Sequence, residues 1–178
     1  MLKKILIVIL VLIALPFIIA LFVQKEYSVI TNITIDKTTA EVFNYVKYLK
    51  NQENFSVWAQ MDPNMTKRYL GTDGTVGFVS RWESDNEEVG VGEQEIMRID
   101  EGKRIDFELR FYSPFESTDL AFMTTESTST DQTLVKWGFD GHLDYPMNLL
   151  FLFMDFETMI GNDLNQGLVQ LKQVLEAE

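Results

Sequence analysis

The sequence contains no cysteine and a single histidine, His142. Without thiols there is no disulfide, no thiolate metal site, no cysteine nucleophile and no lipoprotein cysteine, and nothing separates an oxidising compartment from a reducing one. With one imidazole and no thiolate, a transition-metal centre lacks its usual ligands, so no metal and no cofactor is expected. Positive charge is scarce too: 15 Lys and Arg stand against 27 Asp and Glu, a net of −12. Such a chain repels phosphate backbones and anionic headgroups, which argues against nucleic acid as a partner. The glycines of "GVG" at residues 90–92 are not followed by Gly-Lys-Ser/Thr and make no phosphate loop. Asp62, Asp73, Asp85 and Glu87 do not fall into calcium-loop spacing.

Against these absences stands one long apolar run, "ILIVILVLIALPFIIALFV" at residues 5–23. About 20 apolar residues at 1.5 Å rise span the hydrocarbon of a bilayer. Pro16 is tolerated inside such a helix. A signal peptide would have a shorter apolar segment and a small-x-small cleavage site, and "ALFVQKEY" offers none. Residues 1–24 therefore read as an uncleaved transmembrane anchor and residues 25–178 as one domain. Lys3, Lys4 and the amino terminus outweigh Lys25, which keeps the N-terminus cytoplasmic and puts the domain on the outer, periplasmic or extracellular, side of a single-pass protein.

Beyond the anchor, "EYSVITNITID" alternates, with Tyr27, Val29, Thr31, Ile33 and Ile35 on one face of a strand. "TTAE" at residues 38–41 is a capping box that opens a helix carrying Val42, Val46 and Leu49. A second short helical piece holds "ENFSVWAQM" and ends at Pro63. From residue 67 to 143 the period is that of strands. Val76, Phe78, Ser80 and Trp82 share one phase; so do Ile105, Phe107, Leu109 and Phe111; so do Val135, Trp137, Phe139, Gly141 and Leu143. Turn signals ("TDGT", "ESDNEE", "DEGK", "YSPFES", "TSTDQ") separate the runs, which implies an antiparallel meander. From Pro146 to Leu175 the composition predicts one helix of roughly 45 Å. Its stripe of Ile160, Leu164, Leu168, Leu171 and Leu175 suits a helix lying across a sheet. Upstream, in "PMNLLFLFMDF" at residues 146–156, apolar side chains surround nearly the whole helix.

The order of a strand, two helices, a series of strands with aromatic inner faces and a long last helix resembles the START-like superfamily, the polyketide cyclase/dehydrase and lipid-transport group. The marks are "IDKTTAEVFNYV", "FSVW", "GVGEQEIMRIDEGKRIDFEL", "TLVKWGF" and "GLVQLKQVLE". Phe55 stands where the short helix of that group usually begins with Trp. The resemblance implies an α+β helix-grip fold, a curved antiparallel sheet of about seven strands around the C-terminal helix. It also implies a cavity for a hydrophobic small molecule or lipid, walled by Trp58, Phe78, Trp82, Phe107, Leu109, Phe111, Trp137, Phe139, Phe153 and Phe156. On that reading the sheet covers one side of the apolar segment, and the cavity, a loop or the nearby membrane covers the other. The same residues would pack a closed core if the interior is filled.

Catalysis has one candidate pair. Glu93 and Glu95 alternate with Val91 and Met97, so one strand phase turns both carboxylates inward, where they could serve as acid and base. The opposite phase turns Gln94 and Ile96 inward and leaves both Glu in water, avoiding the cost of burying two charges. His142 shares its phase with Lys136 and Asp140 and belongs on the outside. The expectation is thus a membrane-tethered, non-catalytic binding domain. The alternatives are a cyclase- or hydrolase-type enzyme working through a cavity carboxylate, and a closed structural domain of an envelope assembly.

Overall fold

The computed structural model of the chain describes residues 2–177. It opens with helix α1, Leu2–Ala20, which contains Pro16 and is long and apolar enough to cross a membrane. Strand β1, Glu26–Ile35, follows, then α2, Thr39–Val46, and α3, Val57–Met61, with a 3-10 turn at Leu49–Asn54 between them. The Thr38 capping box forms: the Glu41 amide donates to Thr38 Oγ1 at 3.3 Å, and the Thr38 amide donates to Glu41 Oε2 at 3.0 Å. Strands β2 (Thr66–Leu70), β3 (Val79–Glu83), β4 (Val91–Asp100), β5 (Arg104–Ser113), β6 (Ser117–Ser129) and β7 (Gln132–His142) form the meander. Strand β1 adds to its β7 edge, giving one seven-stranded antiparallel sheet in the order β1-β7-β6-β5-β4-β3-β2. Helix α4, Phe156–Glu176, crosses the concave face against β1 and β7. The molecule is thus the expected α+β arrangement of a curved sheet around a C-terminal helix, preceded by an apolar helix.

Two local expectations fail. The alternation through Val76 and Phe78 is not all strand: β3 begins at Val79, and Gly77 takes a φ of +86°, which turns the chain and leaves Val76 exposed. The long C-terminal helix is also shorter than its composition predicts. Met147–Leu152 is a separate 3-10 turn, and α4 begins only at Phe156, for 21 residues or about 31 Å. The cause is local. Asp155 caps α4, its Oδ1 accepting from the Thr158 amide at 3.0 Å and its Oδ2 from the Thr158 hydroxyl at 2.7 Å. The turn before it is held elsewhere by Asn148, described below.

The register stacks side chains in rows across the concave face. Val29, Phe139, Ala121, Phe107, Ile96 and Phe78 form one row, and Trp137, Met123 and Ile105 the next; all are buried. Helix α4 closes on these rows through Leu164, Gly167, Leu168, Leu171 and Leu175. Gly167 is the point of closest approach. A methyl there would come within 2.8 Å of the buried Trp137 ring and 3.3 Å of the Phe55 carbonyl oxygen. Gly167→Ala is therefore expected to destabilise by about 1–3 kcal/mol, despite the better helix propensity of Ala. At Gly161 the nearest atom is a Val29 methyl at 3.3 Å, and Gly161→Ala is expected to be close to neutral. Urea denaturation of both variants checks the difference.

Candidate functional site

Toward the β1 start, the end of the sheet next to α1, the rows change character. Two residues along from the packed row lie Tyr27, Asp119, Leu109, Gln94 and Ser80; two further lie Phe111, Gly92 and Trp82. Leu109, Phe111 and Trp82 remain only half-buried here, in contrast to Phe107 and Phe78 in the packed row. The Trp82 indole lies over Gly92, where a methyl would meet it at 2.6 Å. Its Nε1 donates to the Val89 carbonyl at 3.1 Å, and its ring meets Phe111 edge-on at 5.9 Å. The ring is thus held in one orientation by its neighbours. The result is an apolar shelf with polar groups at its back.

Asp119 is the strongest of those groups. It is buried, accepting at 2.8 Å from the His142 amide and at 2.8 Å from the Ser117 hydroxyl. Burial pushes its carboxyl above the ordinary range, while those two hydrogen bonds and the His142 charge pull the other way. The Tyr27 hydroxyl is pushed well above its usual value, first by burial and then by the Asp119 charge. Tyr27 also anchors an aromatic cluster, its ring 6.0 Å from Phe139, 5.7 Å from Phe151 and 5.8 Å from Phe156. On α4, Asp163 has its pKa raised by burial, with a further push from Glu88 in the loop between β3 and β4.

The residues expected to wall a cavity divide into three groups. Phe78, Phe107, Trp137 and Phe139 are packed core. Trp58, Trp82, Leu109, Phe111 and Phe156 are half-buried, and Phe153 is 83% exposed, outside the concave face altogether. Glu93 and Glu95 do stand together, but on the convex face, because Gly92, Gln94 and Ile96 take the inner phase. Arg110 donates to Glu93 and to Glu95, both at 2.7 Å, and also pairs with Glu108. Burial alone would raise the Glu93 pKa, but hydrogen bonds from Arg110 and Tyr112 and the charges of Arg110 and Arg81 outweigh it and hold the carboxyl low. His142 also lies outside, its Nε2 3.1 Å from Asp144. Among the described residues no three His, Cys, Asp or Glu side chains converge as metal ligands would. Sequence reasoning passed over Asp119, Tyr27 and Asn148. The signal for Asp119 was legible: it shares the inward phase of Ala121 and Met123, an acid among apolar neighbours.

Two broad depressions open to solvent. One, of about 460 Å³, is lined by Gln24 and residues 151–157. The other, of about 600 Å³, is polar and lies where Met61, Asp62 and Thr66 meet Glu83, Ser84 and Asn86.

No protein-family model matches the chain, and no curated protein matches it. Solved structures do. The chain is similar to the solution structure of the Aha1 dimer from Colwellia psychrerythraea, at 12% identity and a TM-score of 0.57 over 84% of this chain and 96% of that one. It is similar to the crystal structure of Ara h 8.0201, at 11% identity and a TM-score of 0.58 over 86% and 99%. A crystal structure of a Mesorhizobium loti protein aligns at 14% identity and a TM-score of 0.60 over 85% and 98%. The fold is helix-grip. At such identities the likeness establishes the helix-grip architecture alone, and function has to come from the site.

Asp119 provides a direct check on the site's electrostatics. A carboxyl whose folded pKa is raised contributes stability that is present below the ordinary carboxylate range and lost as pH rises through the raised value. Asp119→Asn keeps an acceptor for the His142 amide and removes the ionisation. Its stability relative to the parent is expected to improve as pH rises from about 4, the ordinary carboxylate value, through the raised value, and then to level off, measured by urea denaturation at each pH.

Proposed function

We propose that this chain is a membrane-tethered domain that binds a hydrophobic small molecule or lipid on the open half of its concave face, without catalysing a reaction. Residues 1–24 serve as the anchor and residues 25–178 as the binding domain. The N-terminus lies on the cytoplasmic side and the domain on the outer side. The observation that carries the reading is the contrast between rows: the inner face is packed through Phe78, Phe107 and Trp137, then leaves Trp82, Leu109 and Phe111 half-open beside Asp119 and Gln94. An apolar body laid on that shelf gains about 25 cal/mol per Å² removed from water, before ordering costs. The polar groups behind it favour a ligand with a polar group at one end, which fits an amphipathic molecule better than a plain hydrocarbon.

The non-catalytic reading rests on where the carboxylates are. Glu93 and Glu95, the pair that an acid–base mechanism would use, are engaged by Arg110 on the opposite side of the sheet from the shelf. Asp119, the carboxylate behind the shelf, has its two oxygens occupied by the His142 amide and Ser117.

Because α1 contributes the buried Ala20 and the carbonyls that Asn148 caps, the full chain is titrated in detergent against protein-free micelles as the blank. The apolar fluorophore N-phenyl-1-naphthylamine is expected to bind saturably, and Trp82→Ala and Phe111→Ala to weaken it about tenfold each. Leu120→Ala, on the convex face, is expected to leave binding unchanged. Absence of saturable binding, or equal loss in all three variants, would remove the reading.

A further inference from the structure

The apolar segment at residues 146–154 neither belongs to α4 nor lines the shelf with most of its side chains. It lies against the end of α1. Asn148, fully buried, donates from Nδ2 to the Ala20 carbonyl at 2.7 Å and to the Val23 carbonyl at 3.0 Å. Ala20 is the last residue of α1, whose carbonyl a helix leaves without an internal partner, and Val23 lies in the turn just beyond it. One side chain of the domain thus caps the apolar helix and covers Ala20, which is itself fully buried. The domain is joined to α1 at two points, the chain and this cap.

Around that junction large apolar side chains face outward. Phe22 is 85% exposed and Leu21 67%; across the junction Phe153 is 83% exposed, Leu152 55% and Met154 38%. Scattered apolar residues on a surface need no explanation, but a cluster beside a membrane-length helix does. The 19 residues of α1 reach about 28 Å, close to the thickness of the hydrocarbon, so Ala20 falls at its boundary. Anything capped onto Ala20 falls at the same depth.

We propose that Leu152, Phe153 and Met154, together with Leu21 and Phe22, form a second membrane contact. On this view they sit in the interfacial zone of the leaflet that α1 leaves and fix the orientation of the domain on the bilayer. The inference rests on the tethering reading above. The partner is the bilayer itself, chosen because the patch is continuous with the helix that enters it. The acids around it, Asp144, Asp155 and Glu157, favour a zwitterionic surface over an anionic one. In this orientation the end of the shelf that carries Tyr27, Phe151 and Phe156 is the end next to the lipid.

The absence of cysteine makes the test clean. Single variants Phe153→Cys, Leu10→Cys and Thr130→Cys of the full chain, each labelled with an environment-sensitive fluorophore, are reconstituted into phosphatidylcholine vesicles. Thr130 tips the hairpin between β6 and β7, at the far end of the sheet. Quenching by nitroxide-labelled lipid is compared with quenching by aqueous iodide. The label at position 153 is expected to be quenched several-fold more by the shallow lipid nitroxide than the label at 130, and to be shielded from iodide. If the label at 153 behaves like that at 130 while that at 10 is quenched only by lipid, the contact is overturned and the tether stands. If iodide reaches the label at 10, the tether fails and the contact with it. Shielding at 153 that depends on protein-to-lipid ratio would assign the patch to a second copy of the chain and overturn the bilayer contact.

Discussion

The position of α4 over the sheet depends on a missing side chain. Gly167 lets the helix settle onto Trp137 and the Phe55 backbone, closer than any other residue would permit. That contact fixes the C-terminal half of α4 over the packed rows of the concave face, where Lys172 Nζ donates to the Thr34 carbonyl and Glu176 accepts from the Asp36 amide. The other half of the helix begins at the Asp155 cap, beside Tyr27 and Phe156. The division of the inner face into a filled part and a half-open part follows from this seating. So does the division of labour among the aromatics: those under the seated half are core, and those beyond it remain available.

The same division explains how polar groups survive at the back of the shelf. Asp119 is buried deeply enough to have its pKa raised, but both oxygens have partners, so its desolvation is partly offset. On the convex face the sheet solves the opposite problem, with three carboxylates gathered by Arg110. The arginine fork suits this arrangement because its donors lie in fixed directions. The two faces thus hold acid in different ways, one by neutral hydrogen bonds and one by ion pairing.

Much of the fold was legible because strand alternation is a direct record of which side faces the core. The phases of β1, β5 and β7 follow from their apolar positions, and the helix entry follows from Thr38 and Glu41. The seating of α4 was not legible, since a glycine in a helix reads only as a weak spot until its neighbour is known. The segment from Met147 to Asp155 misled for a physical reason. Leu and Met are good helix formers in isolation, but here the cap at Asp155 and the bonds from Asn148 to the Ala20 and Val23 carbonyls override propensity. A lone Asn inside "PMNLLFLFM" was the available signal that the run answers to something outside itself. Of the residues expected to wall a cavity, Trp82, Leu109 and Phe111 keep the inward strand phase read from the sequence, whereas Phe153, expected on a continuous helix apolar nearly all round, lies outside α4 and is exposed.

The measurement that tests the central claim most directly is native mass spectrometry of the full chain purified gently from the cells that make it, followed by organic extraction and identification of what is released. A stoichiometric amphipathic molecule, lost when Phe111 and Trp82 are both changed to Ala, is the expected result. A protein that is empty in every preparation would contradict the account and make the half-open rows no more than loosely packed core.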